Sequence, residues 1–565
     1  MRIFLLIVTI SFWLLLDSCQ KTKTNPDGGL SYGISGIEPQ MAASGDTAWI
    51  YGAGFSSDTA SNKVMIHGAN ARVLAASSGA LQVIVPAAPG LGSIQVQTGS
   101  QSYTYNGTFL LATVVTGAQS QSTTWTAGNL YVLENKVEFL KGTRLTIQPG
   151  TIILGDKDSL ASLVIDDGAN ISMVGTSANP IVFSSIEPLN LRLPGDWGGI
   201  TLAASPAAGA DSIKYVRIEY GGYHISNVPG AALEIDRSEP AGNIQYVQTS
   251  YSYGDGFRFA GGTGPTVYFN NLISFGDAGE DFSIEGDTRA FGQFLLGIKD
   301  PQFADQLGAD GLLVQSSQPA TISNLFLIGY DGISRNSVPL LPGQYEYAPT
   351  DYVVNNNSGR GIHVGGATRG GGPTPQLNGT LQLFNSVVAA PWLAGISFDG
   401  PLAWAGYENG PGGSTIHHTW FTFLAGGSQS GYADTTRSLL FPLIGYSFAA
   451  ENLSSPTSAF AATDTTAQYA VFTSNNNDSA QLFLLTQYGS PVIDNLDIQN
   501  IVADSRLQSP NFTISNGSPL STGADFSDPR LNDAFFDKTN VFIGTFGNDW
   551  TKGWANFNPL ITSYQ

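Results

Sequence analysis

The sequence predicts an all-β protein: a short antiparallel sandwich followed by a long parallel solenoid. Three observations predict it. Charged residues are only 12% of the 565, about half the usual share, so long surface helices lack their material. The 67 glycines and 29 prolines cut the chain into many short elements and turns. From about Thr124, apolar-x-apolar triplets recur in groups spaced by twenty-odd residues, the mark of a solenoid.

The formal net charge is −20, with no basic patch of useful size. Phosphate neutralisation needs clustered Lys and Arg, so nucleic acid is excluded as a partner. The acidity suits a secreted protein that must stay in solution. Cys19 is the one cysteine, which excludes an intramolecular disulfide and a cysteine-based metal site.

The N-terminus reads as an address. Arg2 supplies a positive n-region, and residues 3–16 form an apolar run too short for an ordinary membrane span. The run ends in Leu16-Asp17-Ser18-Cys19, which resembles the lipobox of bacterial lipoproteins. Asp17 stands where the commonest lipobox has a small or aliphatic residue. The resemblance implies that residues 1–18 are a signal peptide and that Cys19 is lipidated and becomes the first residue. It also implies an outer-membrane lipid anchor, on the periplasmic or cell-surface face, because Gln20 and not Asp follows the cysteine. Residues 19–31 are then the lipidated cysteine and a polar tether.

Residues 32–113 contain short alternating segments: Thr47–Tyr51, Lys63–Ile66, Leu81–Val85 and Ser93–Gln97. Gly and Pro turns separate them at the spacing of a sandwich. Ile37-Glu38-Pro39 opens the unit, Gly52-Ala53-Gly54-Phe55 follows the Trp49 strand, and Gly90-Leu91-Gly92 leads into the last. This pattern resembles the immunoglobulin-like IPT/TIG domain, which implies a spacer or interaction module. Phe55 is expected to plug the end of the core, and His67 to sit on a strand facing solvent or hydrogen-bonded.

Residues 124–565 carry the repeats. Leu145-Thr146-Ile147-Gln148-Pro149-Gly150 and Gly195-Asp196-Trp197-Gly198-Gly199 come first. Later blocks run from Ile213–Gly222 through Asn243–Val247 and Val267–Leu272 to Leu381–Val388. Equivalent strands of successive coils would stack about 4.8 Å apart and pile Ile, Val, Leu and Phe into inward ladders. Insertions over 335–360 and 365–376 leave such a stack unbroken. The region resembles right-handed parallel β-helix proteins of the pectate-lyase-like class, including those of Bacteroidetes-type bacteria. Residues 400–565 are less regular. Val492–Ile498 reads as a further coil, and the aromatic tail as cover for an open end or a flank.

Chemistry is sparse. Hydrolases on this fold use paired carboxylates, and lyases a strong base, often with calcium. The polygalacturonase pattern is missing. Asp166-Asp167 falls in a turn, and Gly361-Ile362-His363-Val364-Gly365 is not a Gly-His-Gly segment. The best acidic constellation is Asp255, Glu280, Asp281, Asp310 and Asp331, which aligned coils would bring to one corner. Asp255, Asp281 and Asp310 are the candidate acid/base groups. Calcium at Asp281, Asp310 and Asp331 is the one cofactor such a ladder suggests. Asp beside Gly is equally ordinary corner chemistry. Trp392, Trp404, Tyr407 and Trp420 are candidates for stacking on sugars, or for anchoring loops and filling core. Of His417-His418, one is expected outside and one in the core.

The functional expectation is a lipid-anchored envelope protein that displays a β-helix surface for binding or adhesion, to polysaccharide or to an envelope protein, without catalysis. A polysaccharide lyase or glycoside hydrolase with an acidic site is the alternative. A scaffold partner in an outer-membrane assembly is the third.

Overall fold

The computed structural model describes residues 32–564 apart from 88–92, 106, 108, 190, 204–210, 224–229, 262–263, 301–309, 330–359, 366–378, 390–395, 400–411, 423–443, 446–491, 494–511 and 513–518. Cys19, Asp331, Trp392, Trp404 and Tyr407 lie outside the described residues, as does nearly all of the two expected insertions. No α-helix occurs among the described residues. The chain divides into two compact units between Ala112 and Thr113.

The first unit is an antiparallel sandwich. One sheet runs Gly33–Glu38, Thr47–Ala53, Ala80–Ile84 and Ala69–Ala76. The last of these also pairs with Asn62–Ile66, which continues to Ile94–Thr98 and Gln101–Tyr105. Period-two alternation buries Ala48 and Ile50, Val64 and Ile66, Leu81 and Val83, and Ile94 and Val96. Phe55 is buried at the edge of this cluster and meets Tyr103 edge-on at 6.2 Å. Gly52 makes that possible: a Cβ there would lie 2.2 Å from the Gly33 carbonyl oxygen and 2.6 Å from the Phe55 ring. His67 corrects the strand expectation. Ile66 pairs with Ala69, so His67 and Gly68, with φ of 49° and 82°, form the two-residue turn of a hairpin.

The second unit is a parallel β-helix with three sheets. The first sheet stacks Thr123–Trp125, Arg144–Ile147 and Asn170–Val174, and continues upward to Thr415–His417. The second stacks Ile152–Gly155, Ile181–Ser185 and so on to Trp420–Thr422 and Val492–Ile493; the rest of the expected late coil, 494–498, lies outside the described residues. The third stacks Ser162–Ile165, Ile200–Leu202, Ala231–Ile235, Asp255–Gly261, Phe282–Gly286, Leu312–Ser316, Ile362–Gly365 and Ile396–Asp399. Inward ladders follow from the register. Val216, Val247, Leu272, Leu295 and Leu325 stack in one, and Phe257, Phe282, Leu312, Ile362 and Ile396 in another. All belong to one buried cluster.

From Tyr215 onward, the corner between the first and second sheets turns at one left-handed residue in each coil described. Tyr215, Tyr246, Asn271, Phe294, Asn324, Asn385 and His418 all have φ between 51° and 58°. One left-handed residue turns the strand without a loop. Asn tolerates this conformation; Tyr and Phe hold it only where surroundings over-determine it.

Those surroundings are the C-terminal tail. Residues 519–564 run along this corner as a strap, so the aromatic tail covers a flank. Three side-chain amides each grip one backbone unit of the strap with two hydrogen bonds. Asn385 donates to the Asp525 carbonyl (3.1 Å) and accepts from its N–H (2.8 Å). Gln293 does the same with Asp537 (3.1 and 2.7 Å), and Gln248 with Asn556 (2.6 and 2.7 Å). Asn324 donates to the carbonyls of Phe542 and Gly544. Aromatic contacts fill the rest. Tyr215 and Tyr246 stack at 4.6 Å and meet Trp554 edge-on at 5.9 and 6.1 Å. At the strap's end the Tyr564 hydroxyl donates to buried Glu219 (2.7 Å), with Arg192 and Arg217 over its ring.

The strap explains why the second sheet is apolar on both faces. Ile273, Phe275, Leu296, Ile298, Phe326 and Ile328 point outward, yet are buried in a cluster with Phe546, Trp554 and Phe557. Trp554→Ala is expected to cost about 3–5 kcal/mol, as for a buried aromatic. Urea unfolding of the full chain measures it. A loss within ~0.5 kcal/mol, that of an ordinary surface substitution, would show that the strap does not hold the coils.

Candidate functional site: the corner and outer face of the third sheet

Of the acidic constellation, the described members Asp255, Glu280, Asp281 and Asp310 gather at one corner, but in a different register from the spacing. Phe257 pairs with Phe282, and Phe282 with Leu312. Counting back two residues, the column is Asp255, Glu280, Asp310 and Arg360. Asp281 falls one position later, level with Gly256 and Gly311, and points inward.

The column's carboxylates hold the backbone of the next coil. Asp255 Oδ1 accepts the Glu280 N–H (3.1 Å), and Asp310 Oδ1 accepts the Arg360 N–H (2.7 Å). Asp310 Oδ2 lies 2.6 Å from His363 Nδ1, and Arg360 stands over the same imidazole. Asp281 pairs with Lys299 at 3.0 Å, both fully buried. Burial pushes Asp281 up to about 6 against the pull of Lys299. Among the described residues no group of three or more His, Cys, Asp or Glu is placed to hold a metal ion. Asp281 and Asp310 each already face a cationic or imidazole partner, which is poor company for calcium.

The outer face of the third sheet carries an organised charge array that the sequence reading did not single out. Arg258 bridges Glu234 (3.4 Å) on the coil below and Glu285 (3.3 Å) on the coil above. Ser283 donates to Glu285 (2.6 Å). Burial, then the neighbouring Glu234, pushes Asp236 up to about 7. Asp236 Oδ1 and Arg258 Nε are buried without a hydrogen-bond partner among the described residues. The signal was available: Leu233-Glu234-Ile235 and Phe257-Arg258-Phe259 place opposite charges at the middle of successive inward-outward-inward triplets.

Other expected residues fall elsewhere. Asp166-Asp167 is a turn, with the Asp166 carboxylate accepting the Asp167 N–H. Trp420 is half-buried, packed against the cluster beneath the strap. His417 and His418 correct the expectation that one enters the core. The left-handed turn at His418 breaks the alternation, so both face strap carboxylates, Asp528 at 3.5 Å and Asp525 at 3.4 Å.

Below this face, at the next corner, Arg237 staples three coils. It donates to the carbonyls of Ile165, Asp166, Ala169 and Ala203 and to Asp211 (3.1 Å). Glu239 is buried beside the same Asp211.

The IPT/TIG domain model matches residues 33–110, and the pectate-lyase like beta helix domain model matches residues 117–211. Among curated proteins none matches the chain. Two solved structures with local likeness are auxiliary nutrient binding proteins. One, from Bacteroides thetaiotaomicron, is 28% identical over 14% of this chain and 20% of its own, with a TM-score of 0.14. The other, from Bacteroides ovatus, is 24% identical over 16% and 22%, with a TM-score of 0.13. The chain thus spans about a fifth of the length of each.

The Glu239 site gives a pH prediction. Burial, then Asp211, pushes Glu239 up to about 8 from an ordinary 4.5, so the folded chain holds this proton more tightly. Its stabilising share is full below the ordinary value and is lost as pH rises toward about 8. Urea midpoints at mildly acidic and mildly alkaline pH should therefore fall less in Glu239→Gln than in the native chain. Equal falls would remove Glu239 from the account.

Proposed function

We propose that this protein is a lipid-anchored outer-membrane protein whose β-helix binds polysaccharide along the outer face of the third sheet, without cleaving it. The observation that carries the reading is the Arg258–Glu234–Glu285 array, whose side chains stay partly exposed on this face. Sugar hydroxyls pair with carboxylates and guanidinium alike, through charge-assisted hydrogen bonds. The second sheet offers no such face, because the strap occupies it. Asp255 and Asp310 support binding over bond cleavage, since each holds the neighbouring coil's backbone. The alternative, a lyase or hydrolase, has its own observation in the Asp310–His363 pair on the same face.

Glycan-array binding of residues 20–565, with and without calcium and followed by a chain-cleavage assay on each hit, tests the reading. Binding without cleavage is expected, with affinity reduced about tenfold or more in Arg258→Ala, the worth of a charged hydrogen bond. Cleavage lost in His363→Ala would replace the reading by the enzyme. Binding lost only on substitution of Trp392, Trp404, Tyr407 or Trp420 would move the site to those aromatics. No binding to any glycan would favour an envelope protein partner and a scaffold role.

The anchor follows from the Leu16–Cys19 segment. Metabolic labelling with a clickable fatty acid is expected to mark the native chain and not Cys19→Ala. Equal labelling of both would contradict it.

A further inference from the structure

Among the described residues, the apolar ladders of the second unit give way to a polar chamber. There the ladder of Ile218 and Leu327 is interrupted by Thr249, Ser274 and Gly297. Asp277 and Asp281 turn into the space, and Lys299 meets them. All three are fully or almost fully buried. Glycines make the room: a Cβ on Gly297 would lie 2.5 Å from Asp281 Oδ2, and one on Gly256 would lie 2.4 Å from Asp277 Oδ2.

We propose that Lys299 and Asp281 condense here into an intramolecular isopeptide bond. The hydrogen bonds pose the reactants. Two of the ammonium's three protons face the carbonyls of Gly279 (2.5 Å) and Asp277 (3.4 Å). The third faces Asp281 Oδ1 at 3.0 Å. Moving that proton onto the carboxyl leaves the nitrogen lone pair 3.0 Å from an oxygen of the group it must attack, so the reactants are held together.

The proton count supports an acid at Asp281. The Ser274 hydroxyl lies 2.7 Å from Asp277 Oδ2 and 2.8 Å from Asp281 Oδ1. A hydroxyl has one proton, so it donates to one carboxyl and must accept from the other. Asp277 also accepts from Thr249 and from the Ser252 N–H, which suits the carboxylate. Among the described residues Asp281 has only Lys299 and Ser274, and its Oδ2 has no hydrogen-bond partner. Asp281 is therefore the acid, in keeping with its raised pKa.

The step balances. The Lys299 Nζ–Asp281 Cγ bond forms and the Cγ–Oδ1 bond breaks. Of the three ammonium protons, one moves onto Asp281 Oδ1 to make the acid and one stays on the amide nitrogen. The last is taken up through Ser274 by the Asp277 carboxylate, the general base, and returned by the same path to the leaving hydroxyl, which departs as water. No oxidant or co-substrate is needed. A buried ion pair, costly to desolvate, becomes a neutral amide whose carbonyl is Oδ2.

Intact-mass and peptide-mapping spectrometry of the full chain tests this. The native protein should be lighter by one water, with the peptides holding Asp281 and Lys299 joined. Lys299→Arg, which keeps the charge, and Asp281→Ala should have full mass. Asp277→Asn should leave most chains unlinked. A native chain of full mass overturns the proposal. So does a lost water mapped to an Asp–Gly bond such as Asp255–Gly256, where a succinimide would form instead.

Discussion

The second unit depends on the parallel backbone ladder between coils. Each strand finds its partners above and below, so every inward residue meets its counterpart one coil away. That register makes columns of like residues, and the columns decide everything else. Phe257 lies over Phe282 with rings 5.5 Å apart because the ladder puts them there. The same rule brings Asp255, Glu280, Asp310 and Arg360 into line, and Glu234, Arg258 and Glu285 within reach of one another.

A ladder of this kind couples only neighbouring coils. The strap adds a second dimension. Its contacts reach from Asn385 down to Arg192, across several coils, and most of them read backbone through side-chain amides. It also sets two of the outer faces apart. The second is apolar and closed by the strap. The third carries the charge array of Glu234, Arg258 and Glu285.

Much of this was legible in the sequence. Both strand patterns were readable, because period-two alternation in the sandwich and the spacing of Ile, Val, Leu and Phe in the solenoid follow from packing alone. The corner acids were readable as a group, but not their register. Coil lengths vary, and a shift of one residue exchanges Glu280 for Asp281 and outside for inside. The strap's docking site was written in Leu272-Ile273-Ser274-Phe275 and Leu325-Phe326-Leu327-Ile328. Strands apolar on both faces require cover on both. Which segment supplies it depends on a fold-back over more than a hundred residues, which no local pattern encodes. The His418 corner was missed for a related reason, since alternation fails at a left-handed residue.

The most direct test of the central claim is hydrogen exchange along the full chain, with and without the polysaccharide that binds best in the glycan panel. The account predicts slowed exchange in Asp255–Gly261, Phe282–Gly286 and Leu312–Ser316, with the strap unchanged. Slowing confined to residues 519–564 or to the first unit would contradict it.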